Sequence, residues 1–333
     1  MTSRFASVGV AGGGAWGTAL ALAAARAGRT VTLWARDPAA VEAINARREN
    51  PAHLPGVRLD PPLEATTDLA RAAAADLVIL STPAQTTRAV AGALAPLMRP
   101  DTPLVITAKG FEAGTGLLLA DVVAAAAPAA RPAVLSGPSF AADVARSLPT
   151  AVTIAAADIA LAEALARALA SPFFRPYASD DVIGVEVGGA LKNVLAIASG
   201  VVIGRGLGAS AQAALIARAF AELMRLAVAL GARAETLTGL SGFGDLVLTA
   251  TSRQSRNFAF GVALGEGGSA AALKEAGPLV EGAKTAPVAL AIAARLGIDA
   301  PVTAAVAALV EGRAGVDQVI GELLARPLKR ETA

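Results

Sequence analysis

The 333-residue chain contains no cysteine and a single histidine, His53. Disulfides, thiolate metal sites and cysteine nucleophiles are thereby excluded, as is a histidine-rich metal cluster, and no metal is expected. Aromatic residues are scarce at 4% and charged residues few at 17%. The 29 basic side chains nearly balance 27 acidic ones and do not gather into a block that would track a nucleic-acid backbone, so no nucleic-acid partner is expected. Long uncharged runs are also missing, with one exception. Residues 5–25 carry no charge, follow Arg4 and end in an alanine-rich stretch, as a secretion signal would. Gly12, Gly13, Gly14 and Gly17 interrupt the segment where a continuous apolar helix should run, so it reads as strand, turn and helix. No other uncharged stretch reaches the ~20 residues that cross a bilayer, and a cytoplasmic protein without a membrane span is expected.

Alanine is what abounds. Its 85 residues account for much of the 54% hydrophobic fraction, and because alanine adds little apolar area and favours helix, the composition describes an ordinary globular core. The length suits one large domain or two. Apolar runs at 5–10, 30–34, 77–80, 104–107, 133–135 and 151–154 alternate with Ala-, Leu- and Arg-rich stretches, the pattern of a parallel sheet wound with helices on both faces. Residues 124–130 read as a helix interrupted by Pro128. Beyond Ser179 the texture becomes helical, with periodic apolar positions over 185–202, 211–230 and 286–296. Residues 329–333 read as a frayed tail.

The first run leads into Gly12, Gly14 and Gly17, spaced G-x-G-x-x-G, with a helix-forming stretch after them and a second strand at 30–34. In that context the glycines have separate tasks: Gly12 makes the tight turn, Gly14 lets a pyrophosphate approach the backbone, and Gly17 lets helix and strand pack closely. N–H groups at the helix start then meet the phosphates. The fold class expected is α/β, with a dinucleotide-binding, doubly wound sheet of Rossmann type over residues 1–179 and a mostly α-helical, substrate-binding domain over 180–333. After the second strand stands Arg36 where an acidic residue would bind ribose hydroxyls. A guanidinium there suits a 2′-phosphate, which favours NADPH, while the adjacent Asp37 leaves NADH possible.

Four further clusters carry polar chemistry. Lys192 and Asn193 interrupt an apolar helix beside Gly188 and Gly189, and a buried lysine is costly unless something uses it; the competing reading is a lysine that snorkels to the surface. Lys109 follows a strand, where open α/β sheets place ligands. Ser136, Gly137, Pro138 and Ser139 form a polar turn before a helix. Arg253, Gln254, Ser255, Arg256 and Asn257, shortly after Asp245, combine guanidinium, hydroxyl and amide as a phosphate site would. Each of these last three clusters reads equally well as a solvated loop or helix cap.

Taken together and in order, these motifs make the chain resemble the bacterial-type NAD(P)-dependent glycerol-3-phosphate dehydrogenases over nearly its whole length. The resemblance implies reversible reduction of dihydroxyacetone phosphate to sn-glycerol 3-phosphate, a phospholipid precursor, by a homodimer. It makes Lys192 the proton donor and acceptor and surrounds the substrate with Lys109, Gly137, Ser139, Asp245, Ser255, Arg256 and Asn257. On the cofactor side it implies Ala15, Trp16, Arg36, Lys109, Ala141, Arg256, Leu279 and Glu281, beside the three glycines of the turn. His53 falls where some members place an aromatic near the cofactor, and reads equally as a loop histidine. Departures are few: Ala15 replaces a common serine, Phe111 and Phe243 stand where leucine is frequent, and Phe258 and Ala259 make the lip of the phosphate pocket drier. A β-hydroxyacid or ketopantoate-type reductase shares the architecture and differs in needing no phosphate. A non-catalytic NADPH sensor would bind cofactor without turnover.

Overall fold

A computed structural model describes residues 5–277 and 279–327, so the tail expected at 329–333 lies outside the described residues. Ten strands are present among the described residues: β1 (Ser7–Ala11), β2 (Thr30–Trp34), β3 (Glu49–Asn50), β4 (Leu54–Arg58), β5 (Glu64–Thr66), β6 (Leu77–Leu80), β7 (Pro103–Ile106), β8 (Arg131–Ser136), β9 (Thr150–Ala155) and β10 (Phe174–Ser179). All six apolar runs are strands. Eight strands form one sheet in the order β10-β9-β8-β7-β6-β1-β2-β5, and β3 and β4 form a separate antiparallel ribbon.

The expectation of a parallel sheet needs one correction. From β8 to β5 every pairing is parallel, but β9 runs antiparallel to β8, with Val134 opposite Ala155, and β10 follows β9 in parallel. β10 itself, with Arg175 and Pro176 at its centre, does not read as a strand in sequence. It is possible because an edge strand leaves one side of its backbone outside the ladder, where the missing N–H of proline costs nothing. A second correction concerns residues 124–130. The helix Leu119–Ala126 takes in only the first three of them and ends there rather than resuming past Pro128, with Ala127 at φ −136° and ψ 67°, since the residue preceding Pro128 is pushed out of the helical region.

Both faces of the sheet are covered. Along β6, Leu77 and Ile79 join one apolar cluster with Leu20, Leu33 and Val105, while Val78 and Leu80 join another with Leu94, Leu104 and Ile106. Successive side chains point to opposite faces, so a run of four apolar residues is what a strand buried on both sides requires. The helices after β10 include Val182–Gly204, Gly208–Ala229, Arg256–Gly265, Glu281–Arg295 and Pro301–Val310. The first, of 23 residues, has the length and apolarity of a bilayer-crossing segment, yet 83% of its most apolar window is buried in protein, and it carries Glu186 and Lys192. Two compact units emerge from packing. One holds the chain up to Gly189 together with Gly231–Asp245, and the other holds Ala190–Leu230 together with the chain from Leu246 onward. The division at 179 follows sequence texture, whereas packing draws its line inside the Val182–Gly204 helix.

Candidate active site

The glycine turn occupies the space between β1 and the helix Ala15–Arg26. Gly12 sits at φ +133°, and a Cβ there would come within 2.3 Å of the Ser81 carbonyl oxygen. Its N–H donates to the Trp34 carbonyl at 3.0 Å, tying the turn to the end of β2. A Cβ on Gly17 would lie 1.8 Å from the Gly12 carbonyl oxygen, which is why helix and turn close only on glycine. Gly14 differs: a Cβ on it meets nothing within 4 Å, so the turn is open there. Gly14 is also the N-cap and supplies no capping side chain, and the first turn of the helix holds no acidic residue. The N–H groups at its start, including those of Ala15 and Trp16, therefore offer an anion site with an open approach. These residues fit the pyrophosphate of a dinucleotide.

Arg36, just past β2, is exposed and has no ion pair among the described residues. Asp37 is engaged: its Oδ1 accepts the Ala39 N–H at 2.9 Å and caps the short helix Pro38–Glu42. His53 is exposed, and its backbone N–H donates to the Asn50 carbonyl.

In the same unit, Lys109 Nζ donates to Asp245 Oδ2 at 2.6 Å and to the Gly137 carbonyl at 3.3 Å. Asp245 is fully buried and Lys109 partly so. Ser139 Oγ donates to the same Gly137 carbonyl at 3.0 Å. Gly137 has φ +142°, and a Cβ there would lie 2.8 Å from Val152 Cα. Lys109, Gly137, Ser139 and Asp245 are thus brought together from three separate places in the chain. Ala141 begins the short helix that follows, Ala141–Ala145. Gly189 permits this packing: a Cβ on it would sit 2.6 Å from Ser136 Oγ and 3.5 Å from Lys109 Cγ.

The second unit carries the other expected residues. Lys192 is 5% exposed, which removes the snorkelling alternative, and its Nζ donates to Thr249 Oγ1 at 2.7 Å. Asn193 Oδ1 accepts from Asn257 Nδ2 at 3.0 Å, and Asn257 Oδ1 accepts the Gly282 N–H at 2.9 Å. This chain of amides links three helices. Ser255 caps Arg256–Gly265 by accepting the Phe258 N–H, which leaves Arg256 exposed at the first helical position. Leu279 and Glu281 are half-buried at the start of Glu281–Arg295.

Sequence reasoning missed three residues that the structure brings forward. Thr249 holds the Lys192 amine. Asn50 is fully buried against the glycine turn. Glu186 lies two turns before Lys192 in the first unit, with its Oε1 accepting the Ala120 N–H at 3.0 Å. Burial pushes its carboxyl up to about 8, the N–H groups of Ala120 and Leu119 oppose that rise, and the charge of Asp121 adds to it. A glutamate in an apolar helix was a visible signal. Thr249 and Asn50 carried none, because each partner lies 32 to 57 residues away in the chain.

Residues 7–162 match the model of the NAD-dependent glycerol-3-phosphate dehydrogenase N-terminus, and residues 181–321 that of its C-terminus. The chain is 60% identical over 329 residues to glycerol-3-phosphate dehydrogenase (NAD(P)+) of Azorhizobium caulinodans, covering 99% of each chain. The corresponding protein of Rhodopseudomonas palustris BisA53 is 56% identical over 331 residues, with 99% of this chain and 100% of that one covered. Among solved structures, glycerol-3-phosphate dehydrogenase of Coxiella burnetii superposes with a TM-score of 0.91 at 38% identity, over 97% of this chain and 100% of that one. A ketopantoate reductase of Ralstonia eutropha, at 19% identity and a TM-score of 0.59 over 94% and 99% of the two chains, shares the fold.

Proposed function

Because the chain belongs to the NAD-dependent glycerol-3-phosphate dehydrogenase family, we propose that it catalyses the reversible reduction of dihydroxyacetone phosphate to sn-glycerol 3-phosphate, a precursor of phospholipids. The observation that carries the reading beyond family membership is the buried amine of Lys192, held at 2.7 Å by the Thr249 hydroxyl.

When bound, the reduced nicotinamide supplies a hydride to the carbonyl carbon. Negative charge then grows on the carbonyl oxygen, and an ammonium at Lys192 both attracts that charge and delivers the proton that completes the alcohol. In the oxidative direction the neutral amine takes the proton back. Thr249 accepts one N–H of Lys192 and so limits the directions in which the others point. Lys109, paired with Asp245, orients substrate at the sheet end together with Gly137 and Ser139. Arg256 holds the phosphate, with Ser255 and Asn257 beside it, and binding that remote group orients a small ketone for reaction. On the cofactor side the family resemblance assigns Gly12, Gly14, Ala15, Trp16, Gly17 and Ala141 of the first unit, and Leu279 and Glu281 of the second.

NADPH is the preferred cofactor in this reading and NADH the alternative. The exposed Arg36 has its guanidinium available for a 2′-phosphate, while Asp37 spends an oxygen on capping a helix. The same reading has the enzyme cytoplasmic and homodimeric, with a dinucleotide-binding domain over 1–179 and a substrate domain over 180–333. A spectrophotometric assay of the purified protein with dihydroxyacetone phosphate, run with each reduced nicotinamide in turn, tests it. Turnover that is faster with NADPH is expected. Equal turnover of an unphosphorylated ketone would overturn the substrate, and no oxidation of either cofactor would overturn the activity.

A further inference from the structure

Asn50 is fully buried, and both N–H groups of its carboxamide are spent on the glycine turn: Nδ2 donates to the Gly13 carbonyl at 2.9 Å and to Thr18 Oγ1 at 2.8 Å. These acceptors bracket the first turn of the helix Ala15–Arg26, one just before its N-cap and one at its fourth residue. Burying a carboxamide costs ~1–3 kcal/mol for each group left without a partner, and Asn50 Oδ1 has none among the described residues. An apolar side chain would fill this place at lower cost, so the amide is not explained by packing.

Geometry supplies the explanation. A trans peptide is planar, with its C=O and N–H pointing in opposite directions, so a bond that fixes the Gly13 carbonyl also fixes the N–H of Gly14. Gly14 is the open position of the turn, and its N–H donates to no group among the described residues. We propose that Asn50 is a positioning residue for the cofactor: by holding the Gly13 carbonyl on one side, and the Thr18 hydroxyl along the helix, it presents the Gly14 N–H and the first helical N–H groups to a pyrophosphate in one preset orientation. The proposal rests on the reading of the glycine turn as the cofactor site. Without the clamp, a run of three glycines is free to rotate its peptide planes, and binding must order them.

The clamp is itself anchored. Asn50 ends β3 opposite Leu54 of β4, its carbonyl accepts the His53 N–H, and the Leu59 N–H donates to the Arg48 carbonyl, closing the ribbon. Leu54, Val57 and Leu59 are buried in the apolar cluster that contains Leu20 and Leu22 of the Ala15–Arg26 helix. The ribbon between β2 and β5 therefore shares an apolar cluster with that helix and reaches the turn through Asn50.

The test pairs NADPH titration, read by tryptophan fluorescence, with amide hydrogen exchange of the turn with and without NADPH. In Asn50→Ala and Asn50→Asp, the Kd and KM for NADPH are expected to rise 10- to 100-fold while kcat falls no more than twofold, and exchange across residues 13–17 is expected to quicken in the cofactor-free protein. Thr18→Val, which keeps shape and loses the acceptor, is expected to weaken NADPH binding about threefold to tenfold, and Thr18→Ser is expected to restore it. This second pair decides the matter if the Asn50 variants do not fold. Unchanged NADPH affinity with unchanged exchange in the folded Asn50 variants, or equal affinity of Thr18→Val and Thr18→Ser, would overturn the proposal. If NADPH binds wild-type protein without protecting residues 12–17, the cofactor-site reading fails instead, and the two failures are thus distinguishable.

Discussion

The glycine turn of the first unit and the buried polar cluster of the second build their chemistry by opposite means. In the first, the glycine turn works through backbone: Gly12 and Gly17 are required by approaches of 2.3 and 1.8 Å that no Cβ survives, and the functional groups are peptide N–H groups at a helix start. In the second, Lys192, Asn193, Thr249 and Asn257 are polar side chains sunk among apolar ones and satisfied by one another. Backbone chemistry is set by conformation and tolerates change in most side chains around it. Buried side-chain chemistry depends on each atom, because a lost partner leaves a desolvated group uncompensated.

That contrast predicts that substitutions at Lys192 and Thr249 reduce kcat and spare cofactor affinity, while those around the turn do the reverse. Lys192→Ala should produce the largest effect, a fall in kcat of ~10³-fold or more at saturating cofactor, with NADPH Kd within a factor of about two of wild type, since a proton donor is lost. Near-normal turnover would erase the contrast at its strongest point. Arg256→Ala should lower kcat/KM for dihydroxyacetone phosphate by ~10²-fold, and because the side chain is exposed, thermal unfolding should scarcely move. Thr249→Val, nearly isosteric, should lower kcat ~10-fold by removing the hydroxyl that accepts from the Lys192 amine, a loss visible in steady-state kinetics. Arg36→Ala sharpens the other side: KM for NADPH should rise several-fold to ~10-fold, with KM for NADH and kcat nearly unchanged.

The smallest effect is on stability rather than catalysis. The folded-state carboxyl of Glu186 is raised from 4.5 to about 8 by burial. The unfolded chain thus releases this proton first as pH rises, so folding is undiminished below about pH 4.5, weakens between there and about pH 8, and stays weakened above. Glu186→Gln removes the titration. It should raise the unfolding temperature at pH 9 and leave it little changed near pH 4.5. Equal shifts at both values would show that the carboxyl ionises normally in the folded protein.

Legibility in sequence tracked the range of the interactions involved. The glycine turn announces itself because the strand, the three glycines and the helix are contiguous and each has a local reason. Lys192 stands out because a charge in an apolar helical run is anomalous wherever its partner lies. The strand β10 was invisible, since Arg175 and Pro176 suit a strand only at an edge, and edge position belongs to the sheet rather than to the segment. The reversal of β9 was equally hidden, because a run of six residues reads the same in either direction. Asn50 and Thr249 looked like ordinary loop and helix residues, and only the meeting of distant segments gave their side chains a task.

Residue by residue, the six apolar strands, the helical texture beyond Ser179, the glycine turn, the dinucleotide class and the lysine worth testing were already determined by local chemistry: backbone sterics at glycine, the two-residue and 3.6-residue periods of apolar side chains, and the cost of burying charge. The fold decided what depends on distance through space. It set the direction of β9 and β10, paired Lys109 with Asp245, gave Lys192 the Thr249 hydroxyl, and brought a carboxamide from the β3–β4 ribbon onto the Gly13 carbonyl. Hydrogen bonds act over about 3 Å, and no spacing along a chain specifies which remote residues will approach that closely.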